Sequence, residues 1–251
     1  MKKGFIVAID GPVAAGKGTI APVLSEKLNG SYLYTGAMYR CLALLCIEKK
    51  IDVKNKEEVK NLLKEIGIRL NGKKVFLNGK DVSERIKERD VARAVPFVAL
   101  IPEVREEMVN RQRKTAGEMI EDGQAVAPEV YDVGRSLRSG PLIVAEGRDV
   151  GTTIFPNAEL KVFLTASLEI RAKRRLKQLH EAGFTGLSLN KILKDVKRRD
   201  EQDSERKIDP LPSDPKALGY FVIDNSGLSE EATLNAIINE IKKRDLINDN
   251  S

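Results

Sequence analysis

The chain has 251 residues, 41% hydrophobic and 32% charged, with 5% aromatics and no tryptophan, so its composition is ordinary for a globular protein with an aliphatic interior, and at this length one large α/β domain carrying insertions is expected. An excess of 43 Lys+Arg over 37 Asp+Glu favours polyanionic partners such as nucleotides or nucleic acids, while the two cysteines and the single histidine exclude a zinc site built from the usual ligands. No stretch approaches the roughly 20 apolar residues that cross a bilayer, and the opening apolar run is too short for a signal peptide, so a reducing cytoplasm and no membrane are expected.

In chain order, Phe5 to Ile9 is a short run rich in β-branched residues, followed by Gly-Pro, and reads as a buried strand. Ile20, Val23, Leu24 and Leu28 then fall at helical spacing, so the first 30 residues give strand, loop and helix. Cys41 and Cys46 lie on a predicted helix at a spacing that points them to different faces, which predicts two buried free thiols. Around Asn71-Gly72, a hairpin turn signal between two short apolar runs predicts a small antiparallel insertion over residues 66–92. Further buried strands are expected at Leu142 to Ala145, Leu160 to Leu164 and Tyr220 to Ile223, and helices at Ser167 to Ala182 and Ser229 to Lys243. His180, alone of its kind, reads as a surface histidine. Residues 183–215 are highly charged, with little apolar surface to anchor them, and predict a mobile lid. The core is then residues 1–65, 93–182 and 216–251.

Between the first strand and helix lies Gly11-Pro12-Val13-Ala14-Ala15-Gly16-Lys17-Gly18-Thr19. Its glycines let backbone N–H groups approach phosphate oxygens, the helix N-terminus adds a favourable dipole, and Lys17 supplies a compact cation for the β and γ phosphates. In that strand-to-helix context the pattern predicts a nucleotide-binding loop for ATP. The common form places Ser or Thr directly after the lysine to touch Mg²⁺; here Gly18 intervenes before Thr19, so magnesium must be held partly by other means. No protein ligand for the metal is assigned.

Three more segments complete a pattern. They are Tyr34-Thr-Gly-Ala-Met-Tyr-Arg40, Glu146-Gly-Arg-Asp-Val-Gly-Thr152 and Arg198-Arg-Asp-Glu-Gln-Asp-Ser-Glu-Arg206. With the phosphate loop, they resemble the bacterial-type cytidylate kinases from about Phe5 to about Lys243. The resemblance implies an α/β fold with a P-loop NTPase-type parallel sheet flanked by helices, a small antiparallel insertion that binds the nucleoside monophosphate, and a mobile lid. It also implies ATP and Mg²⁺ as cofactors, and CMP or dCMP as the acceptor.

Residue by residue, the resemblance implies that Thr35 and Arg40 hold the acceptor and that Arg148 contacts its phosphate, while Asp149 and Arg105 recognise the cytosine. Arg199, Asp203 and Arg206 would contact sugar and phosphates as the lid closes, with Lys17, Arg148, Arg199 and Arg206 carrying the catalysis. Arg171 and Arg175, on the preceding helix, would serve the ATP side. Residues 199, 203 and 206 fall on one helical face, which makes that spacing sensible. Each placement has a plainer alternative: Thr35 as a helix N-cap, Asp149 as a cap or as the partner of Arg148, and Arg199 with Asp203 as a surface salt bridge.

Two departures stand out. The family carries a serine about nine positions before the base-reading arginine, where this chain has Pro96, so a hydroxyl is missing from cytosine discrimination. Residues 114–141 are longer than the usual connection, and no role is assigned to them. The rival readings are a kinase for UMP, AMP or another acceptor, and a nucleic-acid-binding ATPase. Dispersed charge and few aromatics for stacking count against the second. A monomer acting on small molecules, without nucleic acid, is the expectation.

Overall fold

The computed structural model describes residues 5–121, 141–181 and 183–246. Strand β1 (Phe5–Asp10) is buried along almost its whole length, and its side chains alternate between two apolar clusters. Phe5, Val7 and Ile9 face one cluster, Ile6 and Ala8 the other. A continuous apolar strand of this kind needs helices on both faces, and it has them. Helix α1 (Lys17–Lys27) follows the loop, then β2 (Ser31–Tyr34) and α2 (Thr35–Glu48), the latter carrying Cys41 and Cys46 as buried free thiols. The remaining elements are α3 (Lys56–Asn61), β3 (Ile68–Asn71), β4 (Lys74–Leu77), β5 (Lys80–Asp81), α4 (Arg89–Val98) and α5 (Pro102–Glu121). After them come β6 (Leu142–Glu146), β7 (Leu160–Thr165), α6 (Leu168–Glu181), α7 (Leu189–Glu205), β8 (Phe221–Asp224) and α8 (Glu230–Lys243). His180 is exposed.

The main sheet has the order β2-β6-β1-β7-β8 with every pair parallel. Ile20 and Leu24 of α1 pack with Ile237 and Ile241 of α8 on one face, and Val109, Ala116 and Met119 of α5 on the other. Since β1 is central, the loops leaving β1 and β6 emerge side by side at the carboxyl edge, where open α/β sheets bind ligands. All four anticipated strands lie within a residue or two of their expected limits.

The insertion is a three-stranded antiparallel sheet, β3-β4-β5. Asn71 pairs with Lys74, so the first turn is Gly72-Lys73, one residue beyond the Asn71-Gly72 signal. The second turn is Asn78-Gly79 with φ 48° and 83°, the pair of positive angles that a tight hairpin matched to strand twist requires. Val75 and Leu77 point from β4 into a cluster that draws in α2, α4, Ile86 and Met108. That second core reaches beyond 66–92 in both directions, because a sheet of three short strands is stable only when packed on helices.

Residues 189–205 form α7, capped by Ser188, whose Oγ accepts from Lys191 N at 3.3 Å. The expectation of little apolar surface in this segment is corrected by Ile192 and Val196, buried one turn apart against Ala172 and Leu179 of α6. Two aliphatic side chains at i, i+4 form a stripe that suffices to dock a helix otherwise covered in charge. Arg206 lies just past the helix, with φ −62° and ψ 139°. The shared helical face therefore holds for Arg199 and Asp203 only.

Candidate active site

The loop from Gly11 to Thr19 wraps the start of α1, and the sequence dictates its course. Gly11 has no alternative: a Cβ there would stand 2.1 Å from the carbonyl oxygen of Leu164 on β7. Ala14 takes φ 57°, the left-handed region in which an L side chain is strained. Lys17 is 5% exposed and donates from Nζ to the carbonyls of Gly11 and Pro12, both at 2.8 Å. Burial, and then the charge of Arg148, pull its pKa down to about 7. An ammonium held so reluctantly gains a great deal from an arriving phosphate anion.

Behind the loop, Arg171 donates to the carbonyls of Val13 (3.1 Å) and Ala166 (2.9 Å), and to Asp200 Oδ2 at 2.5 Å. Asp200 in turn accepts from Val13 N at 3.2 Å, so α7 is tied directly to the loop backbone. Arg171 thus spends its donors on the protein and braces the loop from behind. Arg174 is held by Asn225, while Arg175 faces the cavity.

A cavity of about 540 Å³ opens in front of the loop. Lys17, Thr35, Arg40, Arg105, Arg148, Asp149, Arg175, Arg199, Asp203 and Arg206 all line it with Val13 to Thr19, so the structure brings the residues singled out for ATP and acceptor together, except Gly11, Pro12 and Arg171. Arg40 is held by the Ile86 carbonyl at 2.8 Å and Arg148 by Asp203 at 2.7 Å. Arg199 has no ion pair among the described residues, and burial, then Arg148, Arg175 and Arg40, lower it to about 10. Cations that repel one another across a cleft mark a place for an anion.

At the far side, Arg105 and Asp149 form a buried ion pair, with Arg206 Nη2 3.4 Å from the other Asp149 oxygen. Asp149 therefore pairs with Arg105 and Arg206 rather than with Arg148, and caps no helix: it precedes a single π turn at Val150–Ile154 without a side-chain bond. Burial raises Asp149 to about 6, against the pull of Arg105 and Arg206. The N-cap alternative for Thr35 is corrected as well. Tyr34 occupies the cap of α2, and Thr35 Oγ1 donates instead to the Glu146 carbonyl at 2.6 Å, fastening α2 to the end of β6.

A family model described as cytidylate kinase matches residues 7–133 and 119–243. The cytidylate kinase of Caldanaerobacter subterraneus is 38% identical over 237 residues, 94% of this chain and 94% of that protein. The chain belongs to the cytidylate kinase family. The cytidylate kinase of Oceanobacillus iheyensis is 40% identical over 247 residues, covering 97% of this chain and 96% of that protein. Among solved structures, an uncharacterized protein from Eubacterium ventriosum superposes with a TM-score of 0.51 at 18% identity, over 96% of this chain and 99% of that one, a likeness of fold alone. The two family matches overlap across 119–133, inside the long segment 114–141. Its first part continues α5, and residues 122–140 lie outside the described ones. Among the described residues, no helix is long and apolar enough to cross a membrane.

Four residues around this cavity carried no signal that motif reading could use. Asp10, at the end of β1, is fully buried and accepts from Val150 N, Gly151 N and Tyr220 OH at 2.8–2.9 Å, which sets the loop after β6 against the loop after β1. Burial raises its pKa, opposed by those donors. Asp200 and Asp209 come from the charged segment, where acids are too common to stand out. Glu146, noted only as a change from the family's first Asp, is 6% exposed, takes a hydrogen bond from Tyr32 OH at 3.1 Å, and has Oε1 3.8 Å from where a Cβ on Gly18 would stand. Glu146 and Thr19 both line the cavity, and a carboxylate with a hydroxyl is an oxygen set of the type Mg²⁺ takes.

Proposed function

We propose that this protein transfers the γ-phosphoryl group of ATP to CMP or dCMP, giving ADP and CDP or dCDP. Family membership supports the reaction class, and the observation that carries the acceptor assignment is the buried Arg105–Asp149 pair in the same cavity as Lys17. A carboxylate accepts from the cytosine amino group while the guanidinium beside it donates to the ring acceptors; uracil offers the opposite pattern.

Phosphoryl transfer leaves the protein mainly to align the reactants and to stabilise spread negative charge. In this reading the backbone of Gly11 to Thr19 cups the ATP phosphates, with Arg171 bracing the loop, while Lys17 and Arg175 meet them from the side. Arg40 and Arg148 take the acceptor phosphate, Thr35 and Asp203 the acceptor's polar groups, and Arg199 and Arg206 the charge between the two. Glu146 and Thr19 would hold Mg²⁺, which would supply positive charge to offset the negative charge of the ATP phosphates. Residues 66–92 form the acceptor-binding insertion and 183–215 the lid, on a core of 1–65, 93–182 and 216–251. Closure of α7 excludes water that would otherwise accept the phosphoryl group, and the enzyme works in the cytoplasm.

A coupled assay of ADP release with CMP, dCMP, UMP and AMP tests the reading. CMP and dCMP are expected to be turned over far better than UMP or AMP. Preference for UMP or AMP would overturn the acceptor assignment, and ATP turnover that responds to none of the four would overturn the kinase assignment.

A further inference from the structure

Arg105 is gripped from two sides. One amino nitrogen pairs with Asp149, while Nε donates to Asp209 Oδ2 at 2.8 Å, and the guanidinium carbon lies 5.7 Å from the centre of the Tyr39 ring. The second oxygen of Asp209 accepts from Thr153 Oγ1 at 2.9 Å, and its backbone carbonyl accepts from Arg206 Nε at 2.6 Å. With Arg206 Nη2 3.4 Å from Asp149, the four residues close a ring: Asp209, Arg105, Asp149, Arg206. Three remote parts of the chain meet there, the start of α5, the π turn after β6, and the stretch just past α7.

Asp209 adopts φ 47°. The left-handed region is costly for most side chains and least so for Asn and Asp, and the position before Pro210 is further restricted. Backbone strain of this kind persists only where surrounding contacts over-determine it. Here those contacts all run through Arg105, Thr153 and Arg206. An arginine held at one edge swivels about its bond to the partner, whereas one held at both Nε and a terminal nitrogen has its remaining donors fixed in direction. Pro96, which also lines the cavity, has no side-chain donor of its own.

We propose that Asp209 is a positioning residue for acceptor recognition. It aligns Arg105 toward the base, and because it travels with the segment that follows α7, it makes base selection depend on the seating of that segment. This rests on the proposed CMP kinase function. The clamp is a property of this chain's own Asp209 and Thr153, neither of which lines the cavity.

The test compares the wild-type chain with Asp209→Gly, Asp209→Asn and Thr153→Val, with CMP and UMP as acceptors. Glycine suits a φ of 47° and leaves the Arg206 bond to the backbone carbonyl intact, so Asp209→Gly removes the clamp without unfolding the turn. We expect its KM for CMP to rise about 10- to 100-fold, kcat and the KM for ATP to change little, and the preference for CMP over UMP to narrow. Asp209→Asn keeps an accepting oxygen without the charge, so its KM lies between; Thr153→Val shifts KM the same way, by less. An unchanged CMP KM and CMP:UMP ratio in Asp209→Gly would overturn the inference, as would a loss spread equally over kcat, both KM values and melting temperature, which marks a purely structural role. A wild-type chain that neither binds nor phosphorylates CMP overturns the proposed function itself, and the inference with it.

Discussion

Arg148, on the loop after β6, and Asp203, on the last turn of α7, are 55 residues apart in sequence and joined from Nε to Oδ2 at 2.7 Å. Burial works against the Asp203 carboxylate, yet Arg148, then Arg206 and Arg199, outweigh it and hold its pKa low. Asp203 thus offsets part of the positive charge that Arg148, Arg199 and Arg206 bring together beside α7.

Asp203→Asn is therefore expected to loosen α7 in the ligand-free protein. The pair is about a quarter exposed on each side, so the cost is well below that of a fully buried pair, roughly 1–2 kcal/mol. Amide exchange in α7 should speed up by about 5- to 30-fold, and saturating sulfate or ATP should slow it again by replacing the missing negative charge. Exchange in α7 that matches the wild type would sink the idea that Asp203 holds the segment down.

A bell-shaped pH dependence follows from two groups shifted toward each other. Asp149 accepts most strongly from a cytosine amino group, and pairs with Arg105, when ionised, and with a pKa raised to about 6 it loses that form as the pH falls below 6. Lys17 pairs with phosphate only when protonated, and at about 7 it loses its proton as the pH rises. So kcat/KM for CMP should fall on the acid side and kcat/KM for ATP on the alkaline side, each approaching tenfold per pH unit. The acceptor phosphate also titrates near 6, so the acid limb is assigned by comparison. If it persists unchanged in Asp149→Asn, it belongs to the nucleotide and not to the protein.

Lys17 also sets function against stability. The unfolded chain keeps the Lys17 proton up to 10.5, the folded chain only to about 7. Between those values the unfolded state binds more protons, so the penalty is complete below 7 and fades as the pH climbs to 10.5. Lys17→Met should lower kcat by about 10²–10³-fold or more, while raising the melting temperature at pH 6 and scarcely changing it at pH 10. Near-normal turnover in that variant would remove the phosphate loop from the mechanism, and a lower melting temperature at pH 6 would contradict the buried-charge account.

The fold was legible wherever local chemistry agreed with tertiary burial. Apolar runs such as Leu142 to Ala145 are buried on both faces, so their continuity announced the parallel strands within a residue or two. Gly11 to Thr19 was legible because its conformation needs particular residue types at fixed offsets. Asp10, Asp200 and Asp209 were not, since each works through a partner between 104 and 187 positions away, and no periodicity reports such a distance. The apolar stripe of α7 was hidden for a different reason: Ile192 and Val196 are two residues among many charges, and only the α6 face opposite shows that two are enough.

Gly147 offers the sharpest check on how the motif after β6 is built. A Cβ added there would stand 2.6 Å from Thr35 Oγ1 and 2.8 Å from Val150 Cγ2, closer than any relaxed contact allows. The Gly147 amide is meanwhile fixed to the Ile9 carbonyl at 3.0 Å, so the backbone cannot step aside. Thr35 would have to give way, breaking its 2.6 Å bond to the Glu146 carbonyl and freeing the start of α2, the helix whose second turn carries Arg40. Gly147→Ala should therefore cost roughly 1–3 kcal/mol of stability by overpacking and raise the KM for CMP more than the KM for ATP. The double variant Gly147→Ala with Thr35→Ala, which removes the colliding oxygen, should recover part of that stability without recovering acceptor affinity. A Gly147→Ala protein with unaltered melting temperature and unaltered CMP KM would mean that the loop after β6 yields more easily than its contacts to Asp10 and Thr35 allow.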